Sequence, residues 1–353
     1  LQIAAVGRAF PPNYYDQDQL LEALKTYWAK RHHNLSRLVR LHKAVLVGGR
    51  HLALPMEDYE HATRSFSSAN DAWIRVGLQV GEAAIRDAME RAGVRWDQVG
   101  AIFCTSVTGL ATPSLEARLM NRIPDLPRTT KRVPIFGLGC VAGAAGIARA
   151  ADYVKAYPDQ VALLLSVELC SLTMQREDLS VPNLISSGLF GDGAACAVVA
   201  GADVALQDPG PSVVATQSVF YPDTERVMGW DIGEGGFKIV LSADVPSMVS
   251  DNLRGDVDGF LAQHGVTLDD IESFVCHPGG PKVLMAFEQA LDRPREAFQV
   301  TWDSLLQVGN LSSSSVLLVL RDTMDAHRPR PGSLGLMLAM GPAFCSELVL
   351  LRW

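Results

Sequence analysis

The chain carries a partial copy of itself, and that duplication limits its fold more than any other feature. Ala92-Gly-Val-Arg-Trp-Asp-Gln-Val99 leads into Gly100-Ala-Ile-Phe-Cys104, and His264-Gly-Val-Thr-Leu-Asp-Asp-Ile271 leads into Glu272-Ser-Phe-Val-Cys276. Gly93 and Gly265 lie 172 residues apart, as do Cys104 and Cys276. Leu138-Gly-Cys140-Val-Ala-Gly-Ala-Ala145 matches Val308-Gly-Asn310-Leu-Ser-Ser-Ser-Ser315 at a spacing of 170. A weaker third match sets Gly191-Asp-Gly-Ala-Ala-Cys196 against Gly341-Pro-Ala-Phe-Cys345. Three matches in one order, two of them at nearly constant spacing, imply that a unit of helix, strand, helix, strand is used twice. Like units expose like apolar faces, so they stack on each other and leave a crevice where they meet.

Local patterns agree. Positions 75–93 carry apolar residues at helical spacing, and Gly93 is a helix stop. The runs Val161–Val167 and Ala194–Val199 are short and mostly apolar, as strands buried on both faces are. Ala142–Tyr153 is alanine-rich and Ser312–Asp322 mostly apolar, and both favour helix. The fold class is α/β with buried sheets, in two units placed at residues 1–205 and 206–353. No Ser/Gly-rich or Pro-rich linker separates them.

Composition closes several alternatives. A chain with 48% hydrophobic and 20% charged residues buries enough surface to offset its ordering entropy, which excludes disorder. Its longest apolar runs fall far short of the ~20 residues of a membrane helix. A net charge of −8 argues against a nucleic-acid partner, which needs a basic face. The six cysteines, at 104, 140, 170, 196, 276 and 345, form no CxxC pair and have no metal-ligand spacing. They point to a reducing, cytoplasmic compartment and to no metal centre. The chain opens on Leu1 rather than methionine, so a preceding piece is expected, and a targeting segment there is not legible.

Three residues stand out for chemistry. Cys140 lies in Phe136-Gly-Leu-Gly-Cys-Val-Ala-Gly143, a turn that opens a helix, where unpaired N–H groups favour a thiolate. A small core cysteine is the other reading of that turn. His277 ends a buried strand and begins His277-Pro-Gly-Gly-Pro-Lys282, which aims it into a crevice; a surface-loop histidine is the alternative. Asn310 occupies the repeat position of Cys140, across the same crevice, and also suits a helix N-cap.

The stretches around Cys140, Phe190-Gly-Asp-Gly193, His277-Pro-Gly-Gly-Pro281 and Gly309-Asn310 resemble the type III polyketide synthases. This is the chalcone synthase-like branch of the thiolase-fold enzymes, and the likeness runs from about Arg37 to Val349. It implies a thiolase-like fold of two duplicated halves in αβαβα layers. It also implies a homodimer that uses an acyl-CoA starter and malonyl-CoA as substrates, with no cofactor. Cys140 would carry the acyl group, and His277 would pair with its thiolate. His277 and Asn310 together would stabilise the enolate formed when malonyl-CoA loses carbon dioxide.

Coenzyme A needs a local basic patch. Lys30, Arg31, Arg37, Arg40, Lys43 and Arg50 fall in a stretch, 30–56, without any Asp or Glu. Arg37 and Arg40 match two CoA-binding positions of the family, whereas the third falls on Ala44 with Lys43 beside it. A solvated basic helix face is the alternative. Lys282 and the loop glycines Gly279 and Gly280 are further candidates near the thioester arm. Phe190 resembles a gate between the CoA tunnel and an elongation cavity, and Ile239 takes the second gate position. Thr173 and Ser312 resemble cavity-lining residues. Thr112 resembles the residue that enters the partner's cavity, and Trp230 falls near a glycine of chalcone synthases. Core packing is the competing reading for all of these.

Two other functions compete: a cysteine hydrolase of acyl thioesters, and a catalytically silent partner of another synthase. The joint presence of Cys140, His277 and Asn310 favours the condensing acyltransferase. The stretch Val227-Met-Gly-Trp-Asp-Ile232 resembles bacterial alkylpyrone and alkylresorcinol synthases, so a long-chain starter is the expected substrate, with a short or aromatic starter as the alternative.

Overall fold

The computed structural model describes residues 1–28 and 35–353; Lys30 and Arg31 lie outside the described residues. Its main strands are β1 (Gln2–Ala9), β2 (Val99–Thr105), β3 (Lys131–Ile135), β4 (Val161–Leu169), β5 (Asp192–Ala200), β6 (Ser212–Phe220), β7 (Ile271–Cys276), β8 (Leu334–Gly341) and β9 (Cys345–Arg352). In space they follow the order β3-β2-β4-β5-β1-β6-β9-β8-β7. β2 runs parallel to β3 and β4, and β7 parallel to β8. The pairs β4–β5, β5–β1, β8–β9 and β9–β6 are antiparallel. The seam between β1 and β6 is a single residue pair, Gln2 opposite Ser212. Outward from that seam the two sides have one plan: β1, β5, β4 and β2 correspond to β6, β9, β8 and β7. β3 is an extra strand at one edge.

The helices that cover these strands are α1 (Phe66–Ala92), α2 (Ala142–Ala156), α3 (Val245–Ala262), α4 (Pro281–Leu291) and α5 (Ser315–Ala326). The repeated segments take equivalent places. Trp96–Gln98 and Leu268–Asp270 are both 3-10 turns that lead straight into β2 and β7. α2 follows the Cys140 turn and α5 follows the Asn310 turn. α1 starts nine residues before the periodic stretch seen in the sequence, because Ser65 caps it by accepting from Ser68 N at 3.1 Å. Its end is where the sequence put it, with Gly93 at φ +62°.

Five layers result, as the resemblance implies. α1 covers the outer face of β1, β4 and β5, while α3 and α4 cover the outer face of the other sheet. α2 and α5 lie between the two sheets and touch strands of both. The middle apolar cluster accordingly mixes the two halves, for example Ile147 and Ala197 with Leu320 and Met337. β4 and β5 are buried at every residue, which explains their mostly apolar sequence.

The two halves meet closely at Gly143. A Cβ there would overlap the Ser313 carbonyl and come within 2.5 Å of Val316 Cγ1. Gly143→Ala should therefore destabilise the protein by about 1–3 kcal/mol through overpacking. The check is the midpoint of chemical denaturation; an unchanged midpoint would show that the central layer yields freely.

Candidate active site

Backbone strain at glycine sets the Cys140 turn. Gly137 and Gly139 take φ of +93° and +57°, and a Cβ on Gly139 would lie 2.7 Å from Pro342 Cγ. Only glycine suits both demands. The chain then forms a 3-10 turn over Gly139–Val141 that continues into α2, so Cys140 lies at the helix entrance. His277 follows β7 directly, and its backbone N–H donates to Leu338 O at 2.9 Å. Asn310 is pinned on both sides of its backbone. Its N–H donates to Leu189 O at 2.9 Å, and its carbonyl accepts from Gly191 N at 2.9 Å. The Phe190 and Asn310 segments are thereby fixed to each other.

Cys140, His277 and Asn310, remote in sequence, border one small cavity of about 40 Å³ with mainly apolar walls. All three are buried. Asn310 Oδ1 accepts from Ser312 N at 2.7 Å, which turns Nδ2 toward Gly279 O, 3.4 Å away. The amide thus presents its donor side to the loop that carries His277. Both His277 ring nitrogens are buried without a partner. Such a group is costly in an apolar site unless something else binds it.

Burial pushes the Cys140 thiol up to about 12, with a smaller opposing effect from Ser312. Burial also pulls the His277 imidazole down to about 3. The Cys140 thiol donates to Ser312 Oγ at 3.7 Å. Ser312 is buried and touches the cysteine that borders the small cavity.

A second cavity of about 280 Å³ lies beyond the first, with Thr173, Phe190, Trp230 and Ile239 on its wall. Phe190 and Ile239 are the residues that border both spaces. Trp230 and Ile239 are cross-strand partners in a separate hairpin, Met228–Gly233 with Gly236–Leu241. Trp230 also meets Phe237 edge-on at 6.2 Å, so it both packs and lines the cavity.

The basic stretch divides. Arg37, Arg40 and Lys43 are exposed on the helix Leu35–Ala44, whose buried residues Leu38 and His42 face inward toward Val181–Leu189. Arg37 and Arg40 border neither cavity, and Lys43 borders a separate one with Asp16 and Asp18. Arg50 leaves this group, because it is buried on the wall of the larger cavity. Lys282 is exposed in the first turn of α4, Gly279 lines the small cavity, and Gly280 adopts φ +140°. Thr112 is exposed in the loop ahead of Leu115–Arg122 and lies on the wall of neither cavity.

Two buried carboxyls escaped the sequence. Glu168 accepts from Val107 N at 3.1 Å and Thr108 Oγ1 at 2.9 Å, and also from the Ser313 hydroxyl. Burial pushes it up to about 7. Asp192 accepts from Ser171 N at 2.8 Å and from Ala53 N at 2.5 Å, and burial pushes it up to about 6. The available signal was an acid at the end of an apolar strand, Glu168 as the last residue but one of β4 and Asp192 as the first of β5.

Comparison with known proteins joins these observations. A model of chalcone and stilbene synthase N-terminal domains matches residues 1–204, and one of the C-terminal domains matches residues 212–353. The chain is 49% identical to a 1,3,6,8-tetrahydroxynaphthalene synthase of Streptomyces peucetius, over 99% of this chain and 93% of that one. It is 32% identical to a phloroglucinol synthase of Pseudomonas fluorescens, over 98% and 97% of the two chains. The solved structure of 1,3,6,8-tetrahydroxynaphthalene synthase from Streptomyces coelicolor superimposes with a TM-score of 0.93 at 31% identity, covering 100% and 99%. Two family models that together span nearly every residue, and relatives aligned from end to end, place the chain among the type III polyketide synthases, condensing acyltransferases with the thiolase-like fold.

Proposed function

We propose that Cys140 is the acyl carrier, that His277 and Asn310 stabilise the malonyl-derived enolate, and that the chain grows through the Phe190–Ile239 passage. The observation that carries this is the small, apolar-walled cavity shared by a thiol, an unpartnered imidazole and an amide held donor-side inward. Cys140 Sγ attacks the thioester carbonyl of an acyl-CoA while His277 accepts the thiol proton; CoA leaves and takes up a proton. Malonyl-CoA then loses carbon dioxide, and the electron pair left behind forms a thioester enolate. Hydrogen bonds from His277 and Asn310 Nδ2 to the enolate oxygen stabilise that charge. The enolate carbon attacks the acyl-cysteine carbonyl, the C–S bond breaks, and the chain is two carbons longer. Apolar walls keep water from hydrolysing the acyl thioester.

Arg37 and Arg40 serve as contacts for CoA phosphates in this reading, with Lys43 and Lys282 as outlying cations. Dimerisation uses the edge at β3. The other side of β3 carries no strand among the described residues, and Val133 and the nearby Leu110 and Phe136 are exposed. Thr112 would reach a partner's cavity from there. The six free cysteines suit a reducing, cytoplasmic setting, and among the described residues no helix is long and apolar enough to cross a membrane.

For the product we favour a compact polyhydroxylated aromatic of the kind named for the two relatives, built from malonyl-CoA. The 280 Å³ cavity is small against the ~300–1,000 Å³ usual for ligand pockets. Its wall holds Arg50, whose buried Nε has no partner, and a long alkyl tail beside that cation would leave it unpaired. The alkylpyrone or alkylresorcinol reading has one observation in its favour, the apolar far wall of Leu20, Leu24, Met56 and Met174.

Incubation with malonyl-CoA alone should give an aromatic product by mass, and added long-chain acyl-CoA should leave it dominant. An absolute need for the long-chain starter would transfer the assignment to the alkyl class. Asn310→Ala should slow release of carbon dioxide from malonyl-CoA by ~10²–10³ and spare acyl loading of Cys140, whereas His277→Ala should impair both. Equal loss of loading in the two variants would sink this division of roles. Ile239→Trp narrows the passage, so the products should shorten; an unchanged product-length distribution would show that the chain takes another route.

A further inference from the structure

Arg50 lies in the short strand Gly49–Leu52 and is 3% exposed, on the wall of the larger cavity. Its Nη1 donates to Phe190 O at 2.7 Å. Its Nε is buried without a partner. No ion pair joins it to a carboxylate among the described residues. Asp192 is its acidic neighbour, but the Asp192 oxygens are engaged by Ala53 N, Ser171 N and the Ser171 hydroxyl. Burial pulls the guanidinium down to about 10, so it stays charged at neutral pH. A buried, under-compensated cation at a cavity wall calls for an anion.

The other cation on that wall, Arg176, is engaged by Tyr27 and by Glu60, whose carboxylate lies 3.9 Å away. Thr173, Asn183, Ser186 and Ser187 donate to protein carbonyls, and Ser171 donates to Asp192. Arg50 is also held rigidly. A Cβ on Gly309 would lie 3.2 Å from its Cγ and Cδ, and one on Gly191 would lie 3.5 Å from its Cβ. Those two glycines adjoin Asn310 and Phe190, so the guanidinium is braced against the candidate active site itself.

We propose that Arg50 docks a planar two-oxygen anion of the growing chain just beyond the gate, and so decides which carbons meet when the ring closes. A poly-β-keto chain offers such a group at each 1,3-dicarbonyl unit as its enolate, and a malonyl starter that keeps its carboxylate offers another. In both, two oxygens lie in one plane at the spacing that the guanidinium fork matches. Lysine supplies the charge without the fork, so it is not an equivalent residue here. The proposal rests on the reading above that the chain extends into this cavity.

The test has two arms. With malonyl-CoA as substrate, Arg50→Lys should lower the ratio of full-length aromatic to short lactone products roughly tenfold or more, the worth of a charge-assisted hydrogen bond. A merely structural role would lower both products together and leave the ratio unmoved. In the wild-type enzyme, pentane-2,4-dione should inhibit condensation roughly tenfold more strongly than pentan-2-one, which cannot form the two-oxygen anion. Malonate in place of the dione separates a carboxylate from an enolate as the natural group. An unchanged product ratio in a folded Arg50→Lys enzyme overturns the proposal whatever the inhibitors do. If the variant does not fold, equal inhibition by the dione and the monoketone, with malonate inert, overturns it. A wild-type enzyme that forms no condensed product from any CoA thioester refutes the functional reading itself, a separate outcome from either result.

Discussion

The close contact of the two central helices is the constraint from which the rest follows. α2 and α5 lie between the sheets, and Gly143 lets the first approach the Ser313 carbonyl that leads into the second. Cys140 and Asn310 occupy the turns just before these helices. The contact that closes the core therefore also sets the thiol and the amide on one cavity. A side chain at Gly143 would act on packing and on chemistry through the same displacement.

The site is stabilised by its surroundings and weakens them in turn. Glu168 and Asp192 have folded pKa values raised to about 7 and about 6. Groups raised in this way add stability at pH values below those of the unfolded chain and lose it as pH rises through the folded values. His277 has the opposite sign. Its value falls to about 3, so it penalises the fold as pH drops below the ordinary histidine range. At neutral pH the buried carboxyls cost stability and the histidine does not. The hydrogen bonds around Glu168 and Asp192 limit that cost, whereas His277 and Arg50 keep polar atoms without partners. Unpartnered groups of this kind are expected where a substrate completes the bonding.

How much of this was legible can be traced residue by residue. The duplication gave the two-sided strand plan, and mostly apolar runs gave β4 and β5. The turn glycines and the His-Pro-Gly-Gly-Pro loop led to Cys140 and His277, and the repeat position led to Asn310. Arg50 was grouped with surface cations because its neighbours in sequence are cationic, yet its strand faces inward. The family pattern led to Ser312, whose hydroxyl meets the cysteine. Glu168 and Asp192 gave only the weak signal of a lone acid at the end of an apolar strand.

By itself the sequence determined the repeat, the period of each element and the backbone conformations that only glycine adopts. Those properties depend on residues near one another along the chain. Tertiary structure decided which polar groups have partners, how deeply the thiol and imidazole are buried, and that Phe190 and Ile239 border two spaces. Each of these depends on distances between segments far apart in sequence, and on the exclusion of water that their packing produces.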